Sequence, residues 1–403
     1  MRFTTGNDSG GAGGYFLSQP HQPFFLFGIL WAVVAMLLFM LGYKGVLPMR
    51  TDPTLLHAYG MLFIVFTHFF HGFLLTTFPR FCMASVVSVP VYLRIFGFYE
   101  AGAFLFFAGA LFFAPLAWAG MALLFAGHVT AVRRFALIYK AGQSPEKSDP
   151  FWLLTAHGMG LGAHGLFLLG FAADLLGFSV GWRPWAVAAG MDLYLFFLTF
   201  VVAQRMIPFF SHVMADKSPR FIPVTLTALG LKALFFALDL PLVEAAVTAA
   251  LAIYLLRTFL SWRLPVFTSP AILWVLHLGL FWLPAGLFVD AVLSAVKVSM
   301  QTSFLFGGMH LVALGFVTTI LIGFGTRVTL GHSGQVPHAD RLSTALFWFT
   351  QVVVVARLLY SLAIGLGLNL AWLFDLSATL WMVLFMAWGW RFGPVLYRGK
   401  GEG

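Results

Sequence analysis

The residues best suited to chemistry in this sequence are histidines that lie within long apolar stretches. The stretch 54–78 contains His57, His68 and His71 but no Lys, Arg, Asp or Glu. At about 100° per residue, a helix places His57 and His68 about 20° apart in azimuth and roughly 16 Å apart along its axis. His71 follows His68 by one turn. The three imidazoles are therefore predicted to share one face, and because lipid cannot hydrogen-bond to them, that face is predicted to point into a helix bundle.

Further histidines in other apolar stretches extend this pattern and suggest layers of imidazole. Counting residues along the stretches predicts two layers. The outer layer holds His57 and His310. The central-to-inner layer holds His68, His164 and His277 near the midplane and His71, His128 and His157 in the inner half. A single membrane histidine is more often a hydrogen-bonded packing residue than a ligand. As a group they favour metal or haem binding, because neutral imidazole is the commonest protein ligand of transition metals and suits iron and copper. The predicted metal ligands are His57, His68, His71, His164 and His310.

The composition indicates an integral membrane protein. Of the 403 residues, 61% are hydrophobic and only 9% are charged, whereas a soluble domain carries about 25% charged residues. The net charge of +9 lies in short loops between apolar runs, which is typical of the positive-inside rule and argues against nucleic-acid binding. The one cysteine, Cys82, excludes an intrachain disulfide and a metal centre built only from cysteines. Residues 1–23 lack the apolar core of a removable signal peptide.

Apolar stretches long enough to cross a bilayer predict an all-α, polytopic membrane bundle of about twelve transmembrane helices. We expect one membrane domain at 24–392, a flexible cytoplasmic segment at 1–23 and a short cytoplasmic tail at 393–403. The predicted spans are 24–43, 54–78, 91–113, 116–136, 151–176, 184–207, 222–239, 241–260, 268–289, 303–325, 343–367 and 370–390. The weakest division is between the seventh and the eighth, where only Leu240 and Pro241 separate two apolar runs.

The distribution of basic residues predicts that both termini are cytoplasmic. With that orientation, most of the 23 Lys and Arg residues lie in cytoplasmic segments, and Lys232 and Arg357 lie within spans. The opposite side then holds only Lys44, Arg50, Arg183 and Lys297. Such an asymmetry sets membrane topology. The predicted location is the bacterial inner membrane, with the lipid bilayer as the main partner.

Acidic residues within the spans are few. Glu100 is the clearest, followed by Asp192, whereas Asp290 and others are predicted near span ends. The sequence therefore predicts no chain of carboxylates that would form a proton pathway.

Two stretches near predicted loops carry basic groups that could bind an anion. The first contains Arg205, and the second contains Arg327 and His332 next to glycines, which let a backbone approach a ligand closely. One interpretation is interfacial anchoring by Arg and aromatic side chains. The other is that the three meet at the cytoplasmic face and bind an anion such as a haem propionate.

Several stretches resemble the NnrS family, bacterial inner-membrane proteins of the nitric oxide response that contain haem and copper. The stretches are QPFFLFGILWA, HAYGMLFIVFTHFFHGFLLTTFPRF, RMIPFF and MHLVALGFVTTILIGFGTRVTLGHSG. The last is the most specific. The resemblance implies functional roles for His57, His310, Arg205, Arg327 and His332.

One departure from the family pattern falls next to the first histidine. Where the family reads His-Ala-His-Glu-Met, this chain reads His57-Ala58-Tyr59-Gly60-Met61. A second histidine and a glutamate are thus replaced, and His68 and His71 look like additions. The twelve spans and the histidine-rich interior also resemble the catalytic subunit of haem–copper oxidases and nitric oxide reductases, in which histidines of the second and tenth spans hold haem; this is an analogy of fold.

The resemblance implies a protein that binds b-type haem and copper and acts in nitric oxide metabolism or protection from nitrosative stress, with nitric oxide as a possible ligand. We expect His57 and His310 to hold one metal, and His68 and His71 to belong to a second site about 16 Å deeper. The alternative is a secondary transporter of a small metabolite or metal ion, which the scarcity of embedded charges and of broken helices argues against.

Overall fold

A computed structural model of the chain describes residues 12–178 and 180–399. Parts of the predicted N-terminal segment 1–23 and tail 393–403, namely residues 1–11 and 400–403, lie outside the described residues. Every regular element within the described ranges is helical, which confirms the predicted all-α bundle. A five-residue helix, Ala12–Phe16, comes first and packs against the last helix, with the Phe16 and Tyr397 rings 5.4 Å apart.

Twelve long helices follow, and we number them in chain order. They are α1 His21–Tyr43, α2 Pro53–Phe81, α3 Val89–Phe112, α4 Ala114–Ala141, α5 Ser148–Leu175, α6 Arg183–Phe210, α7 Phe221–Ala237, α8 Pro241–Ser261, α9 Ala271–Met300, α10 Gly307–His332, α11 Arg341–Gly365 and α12 Trp372–Arg398. Eleven are long and apolar enough to cross a membrane, and α7 is shorter, at 17 residues. The twelve helices correspond one to one to the twelve predicted spans.

The largest difference in helix bounds concerns α9. The sequence predicted the end of this span near residue 289, but the helix continues to Met300. A helix does not have to end where its apolar run ends, because its backbone hydrogen bonds are satisfied internally and polar side chains can face other helices or water. Asp290 therefore lies well inside α9 and not at its end.

Three helices form the centre of the bundle: α2, α6 and α10. In their most apolar windows 94%, 78% and 89% of the residues are buried, against 33–56% for the other long helices. Each of the three contains a π-helical segment, Gly60–Phe66, Ala189–Phe196 and Val312–Thr318, and the segment of α6 contacts the other two. Such π segments occur often at functional sites because they re-aim side chains. The three central helices, α2, α6 and α10, are thus every fourth helix in chain order.

Close helix packing positions α4, which carries His128. Gly120 of α4 faces α3 so closely that a Cβ there would lie 2.4 Å from the Phe106 backbone nitrogen, and a Cβ at Gly109 of α3 would lie 2.0 Å from the Ala117 nitrogen. Small residues allow membrane helices to approach in this way. Larger side chains at these two positions would push α4 outward and displace His128.

Candidate metal centre

Three buried histidines from three different helices converge in the interior. His71 of α2, His128 of α4 and His157 of α5 are at most 1% exposed, and each offers a ring nitrogen within 4.8 Å of those of the other two. Each pair of ring centroids is 5.7 Å apart. We call these three residues the histidine cluster.

The spacing within the histidine cluster matches that of ligands on one metal ion. His128 Nε2 lies 3.5 Å from His157 Nδ1. In a tetrahedral site, metal–nitrogen bonds of about 2.0–2.1 Å place neighbouring ligand nitrogens roughly 3.3–3.4 Å apart. The third ligand, His71, offers a ring nitrogen within 4.8 Å of the other two.

Unsatisfied ring nitrogens provide the test of whether a metal fits here. Within the part of the chain that the structure describes, neither ring nitrogen of His71 has a hydrogen-bond partner. Nε2 of His157 also lacks one among these residues. Buried polar atoms without partners are costly and therefore rare in proteins. A metal ion bound to one nitrogen of each ring would satisfy part of this set, so the residues present fit such an ion.

A chain of hydrogen bonds holds His128 from behind. His128 Nδ1 lies 3.3 Å from His164 Nδ1, and His164 Nε2 lies 2.6 Å from the Tyr59 hydroxyl. One assignment of protons satisfies the whole chain: His128 Nδ1–H donates to His164, His164 Nε2–H donates to Tyr59, and Tyr59 donates to the Met121 carbonyl at 3.5 Å. This assignment leaves His128 Nε2 unprotonated and directed at the histidine cluster, which is how an outer partner orients a metal ligand.

Aromatic side chains enclose the histidine cluster and keep it dry. The Tyr194 ring lies 5.5 Å from His128 and 5.7 Å from His157, and the Phe135 ring lies 4.9 Å from His157. Gly160 of α5 gives Tyr194 its space, since a Cβ there would lie 2.5 Å from the Tyr194 ring. The Tyr194 hydroxyl lies 3.0 Å from the Thr67 hydroxyl and so is satisfied elsewhere. The surroundings are apolar toward the three imidazoles, which favours their neutral, ligating form.

His68 and His71 were predicted to share one site, but their side chains lie in different surroundings. His68 Nδ1 lies 2.6 Å from the Ile64 carbonyl, and His68 Nε2 lies 2.7 Å from the Glu100 carboxylate. Trp31 donates to the other Glu100 oxygen at 3.0 Å. Both nitrogens of His68 are thus occupied, whereas both nitrogens of His71 lack partners.

His57 and His310 lie together at the opposite end of the central helices, in the first turns of α2 and α10. Their ring centroids are 6.1 Å apart and their planes are within 13° of parallel. Two imidazoles on one iron, with bonds of about 2 Å each, have their ring centroids roughly 6 Å apart. His57 Nδ1 has no partner among the described residues, and His310 Nδ1 lies 2.9 Å from the Phe306 carbonyl. If Nδ1 carries the proton, the Nε2 of His310 is free to bind a metal.

A partly buried arginine lies beside this second histidine pair. Arg357 of α11 donates to the Leu305 carbonyl at 2.8 Å and lies 3.2 Å from His310 Nδ1. It pairs with no carboxylate among the described residues. The sequence noted Arg357 only as a residue within a span, and its position next to His310 was not foreseen.

Arg205, Arg327 and His332 lie at the other end of the bundle, each with a different neighbour. Arg205 forms an ion pair with Asp149 at 2.6 Å, the Arg327 guanidinium packs 3.9 Å from the centre of the Phe210 ring, and the His332 ring lies 4.8 Å from that of His21. Arg327 follows His310 by 17 positions on α10, or about 25 Å along the helix axis. A group held by His310 would therefore contact Arg357 and not Arg327.

Two of the three clustered histidines, His128 and His157, were absent from the predicted ligand set. Residue counting had nevertheless placed His71, His128 and His157 at one depth. The shared depth of these histidines in the bilayer was thus the sequence feature that could have identified the cluster. The direction in which each helix presents its side chains follows from packing and could not be read from the spacing within one helix.

Comparison with known proteins gives the family of the chain. A protein-family model described as NnrS protein matches residues 15–400, which is nearly the whole chain. A search of curated proteins found no match.

Proposed function

The chain belongs to the NnrS family, and from this membership together with the histidine cluster we propose that it binds copper and haem in the bacterial inner membrane. Its role, under this proposal, lies in nitric oxide metabolism or protection from nitrosative stress. The convergence of His71, His128 and His157, in which both nitrogens of His71 and Nε2 of His157 lack partners among the described residues, is the observation that carries the proposal.

The donor set of the histidine cluster suits copper. Three neutral imidazoles in an apolar, buried setting are typical ligands of copper, iron or zinc, and no carboxylate takes part. With three protein ligands, a four-coordinate ion has one position left for an exogenous ligand. A bound copper would supply that open position, and the protein would supply its orientation through His164 and Tyr59.

The separation and near-parallel planes of His57 and His310 support haem at the other end of α2 and α10. With Cys82 as the one cysteine, the paired cysteines of a covalently attached c-type haem are absent from the sequence, which favours b-type haem. Arg357 is the basic group suited to a propionate of that haem, since it is partly buried, unpaired with any described carboxylate and adjacent to His310.

An apolar cavity of about 40 Å³ supports a small, uncharged ligand such as nitric oxide. Its walls come from α1, α2, α6 and α10, and Phe70 of the wall packs 5.9 Å from the Tyr194 ring, which in turn lies 5.5 Å from His128. One aromatic layer therefore separates the cavity from the histidine cluster.

The test is a double dissociation on purified protein. Copper content and the visible spectrum are measured for the wild type and for His128→Ala and His57→Ala. We expect His128→Ala to lose copper and keep the haem spectrum, and His57→Ala to lose the low-spin haem spectrum and keep copper. Nitric oxide added to the reduced protein should change the visible spectrum of the wild type, which contains copper, more than the visible spectrum of His128→Ala.

Two results would contradict the proposal. A wild-type protein that binds neither metal nor haem when both are supplied during expression would favour the transporter alternative. Loss of copper and haem together in both variants, with normal folding and thermal stability, would show that one site holds both and that the division into two ends of the bundle is wrong.

A further inference from the structure

A second polar cluster lies in α6, α7, α8 and α9, outside the proposed metal and haem sites. Lys232 of α7 is surrounded by three carboxylates: its Nζ is 3.2 Å from Asp192, 3.3 Å from Asp290 and 3.6 Å from Glu244. The sequence predicted no chain of carboxylates and did not reveal this cluster, because the three acids come from three helices and meet only after folding. We call these four residues the Lys232 cluster.

The Lys232 cluster is buried and its formal charges do not cancel. Lys232 and Asp192 are at most 1% exposed, and Glu244 and Asp290 are 6% and 9% exposed. One ammonium and three carboxylates would leave two uncompensated negative charges. Within the interior of a membrane protein such charges cost many kcal/mol, so a positively charged partner must be taken up.

The position of Lys232 decides which partner fits. Its Nζ already occupies the centre of the three carboxylates, at 3.2–3.6 Å from each. A metal cation would need that same central position among the oxygens. A proton needs only an oxygen lone pair, and Asp192 Oδ1 is fully buried without a partner among the described residues.

Aqueous access is short on the side where α7 turns into α8. Glu244 lies in the first turn of α8, and Asp239 in the preceding turn forms an exposed ion pair with Lys297 at 3.4 Å. Glu244 is therefore about one helical turn, roughly 5 Å, from the aqueous boundary. Thr248, one turn further along α8, has a buried hydroxyl without a partner in the described part of the chain. From α10, the backbone of Gly308 closes the cluster, since a Cβ there would lie 2.2 Å from Asp290 Oδ1.

We propose that the Lys232 cluster is a proton-binding site that holds at least one exchangeable proton on its carboxyl groups at neutral pH and exchanges it with water near the α7–α8 turn. The three acids are close enough to titrate as a unit, so the proton belongs to the cluster and not to one oxygen. Asp192, Lys232, Glu244 and Asp290 are the charged groups that face the site, and α10 contributes none. The proposal does not depend on metal or haem binding.

Infrared spectroscopy of the purified protein tests this directly, because a protonated carboxyl absorbs apart from a carboxylate. We expect a carbonyl band of a protonated acid at pH 7 that shifts in D₂O and disappears as the pH rises. The band should weaken in Asp192→Asn and in Glu244→Gln. It should persist in Asp239→Asn, whose carboxylate is exposed beside the same turn, and in Glu100→Gln, which removes the other interior acid.

Each other outcome overturns the proposal. Absence of the band shows that all three acids are ionised, and its loss in Glu100→Gln alone assigns it to the partner of His68. A band that does not shift in D₂O within hours reports a trapped proton. Loss of the band on addition of Na⁺ at constant pH identifies a cation site. The presence of the band, its shift in D₂O and its response to Na⁺ are measured on the wild type, so these three results do not depend on the folding of any variant. The band should be unchanged in His128→Ala.

Discussion

The histidine cluster and the Lys232 cluster are both buried, yet they solve the problem of buried polarity in opposite ways. The three histidines bring ring nitrogens within 4.8 Å of one another, and both nitrogens of His71 and Nε2 of His157 have no partner among the described residues. Around Lys232 the groups are ionisable, and the ammonium lies within 3.2–3.6 Å of one oxygen from each of three helices. Both clusters adjoin the π segment of α6, since Asp192 and Tyr194 both belong to Ala189–Phe196.

This difference indicates which binding partner each cluster needs. Neutral ligands whose lone pairs have no partner lack an electron-pair acceptor, and a metal ion is such an acceptor. A cluster whose centre is filled but whose charge is unbalanced lacks only protons. Removal of one member should therefore abolish binding in the first cluster and destabilise the fold in the second.

The largest expected effect is the loss of metal from His128→Ala. Two imidazoles would remain, and copper affinity should fall by more than the roughly 10–100-fold that loss of an outer partner costs. Metal content per chain, measured by mass spectrometry after dialysis, checks this. His277→Ala is the matched control, since His277 is also fully buried but bonds Ser211 at 2.7 Å outside the cluster. Equal copper in the His128 variant and the wild type would remove the histidine cluster from the metal site.

The next effect is on stability, in Lys232→Met. Removal of one partner from a buried ion pair costs about 3–5 kcal/mol, because the remaining charges are left uncompensated. We expect a lower Tm that recovers as the pH falls, since protonation of the three acids removes their repulsion, while copper content stays normal. Lys297→Met is the control: its ion pair with Asp239 is exposed and is worth about 0–1 kcal/mol. Similar Tm values for the two variants would contradict the burial argument.

A smaller effect is expected from Tyr59→Phe, which removes the hydroxyl that His164 Nε2 contacts at 2.6 Å. Copper affinity should fall by up to about 10–100-fold, because His164 loses the partner that fixes its tautomer, and His164 in turn orients His128. Competition with a chelator of known affinity measures this. Tyr99→Phe is the control, since the Tyr99 ring lies 4.8 Å from His71 but its hydroxyl has no partner among the described residues. If both variants lose affinity alike, ring packing and not the hydrogen-bond chain orients the site.

The sequence predicted the fold well because a bilayer imposes helices, and apolar stretches of sufficient length locate them. Depth was also predictable, since residue counting grouped His71, His128 and His157 and paired His57 with His310. The direction in which each helix presents its side chains to its neighbours was not predictable. It depends on packing through residues such as Gly120 and on π segments that change the register of α2, α6 and α10.

The Lys232 cluster shows the same limit for charges. Lys232, Asp192, Glu244 and Asp290 are each an isolated charge in an apolar run, and no local pattern links them. Their meeting depends on the pairing of α7 with α8 and on the length of α9, which the sequence underestimated. Tyr59 was recognised in the sequence as a departure from the expected family pattern, but the partner of Tyr59, His164, 105 positions away, could not be read from the sequence.

The smallest expected effect on metal binding is the most discriminating, because it concerns two histidines one turn apart on α2. In His68→Gln, copper content and affinity should equal those of the wild type, since both nitrogens of His68 are bonded to Ile64 and Glu100 and none is free for a metal. In His71→Gln, copper should be lost, since a buried imidazole with two partnerless nitrogens becomes an amide.

Glutamine keeps a polar side chain at both positions, so the two variants differ chiefly in where the side chain points. Glu100 retains its bond from Trp31 at 3.0 Å in the His68 variant, which limits the cost of the substitution to about the 1–3 kcal/mol of an unsatisfied buried group. Loss of copper in His68→Gln with a normal Tm would show that the His68–Glu100 pair orients the metal ligands. The face of α2 would then act as one site, as residue spacing alone predicted, and the separation drawn here between His68 and His71 would be wrong.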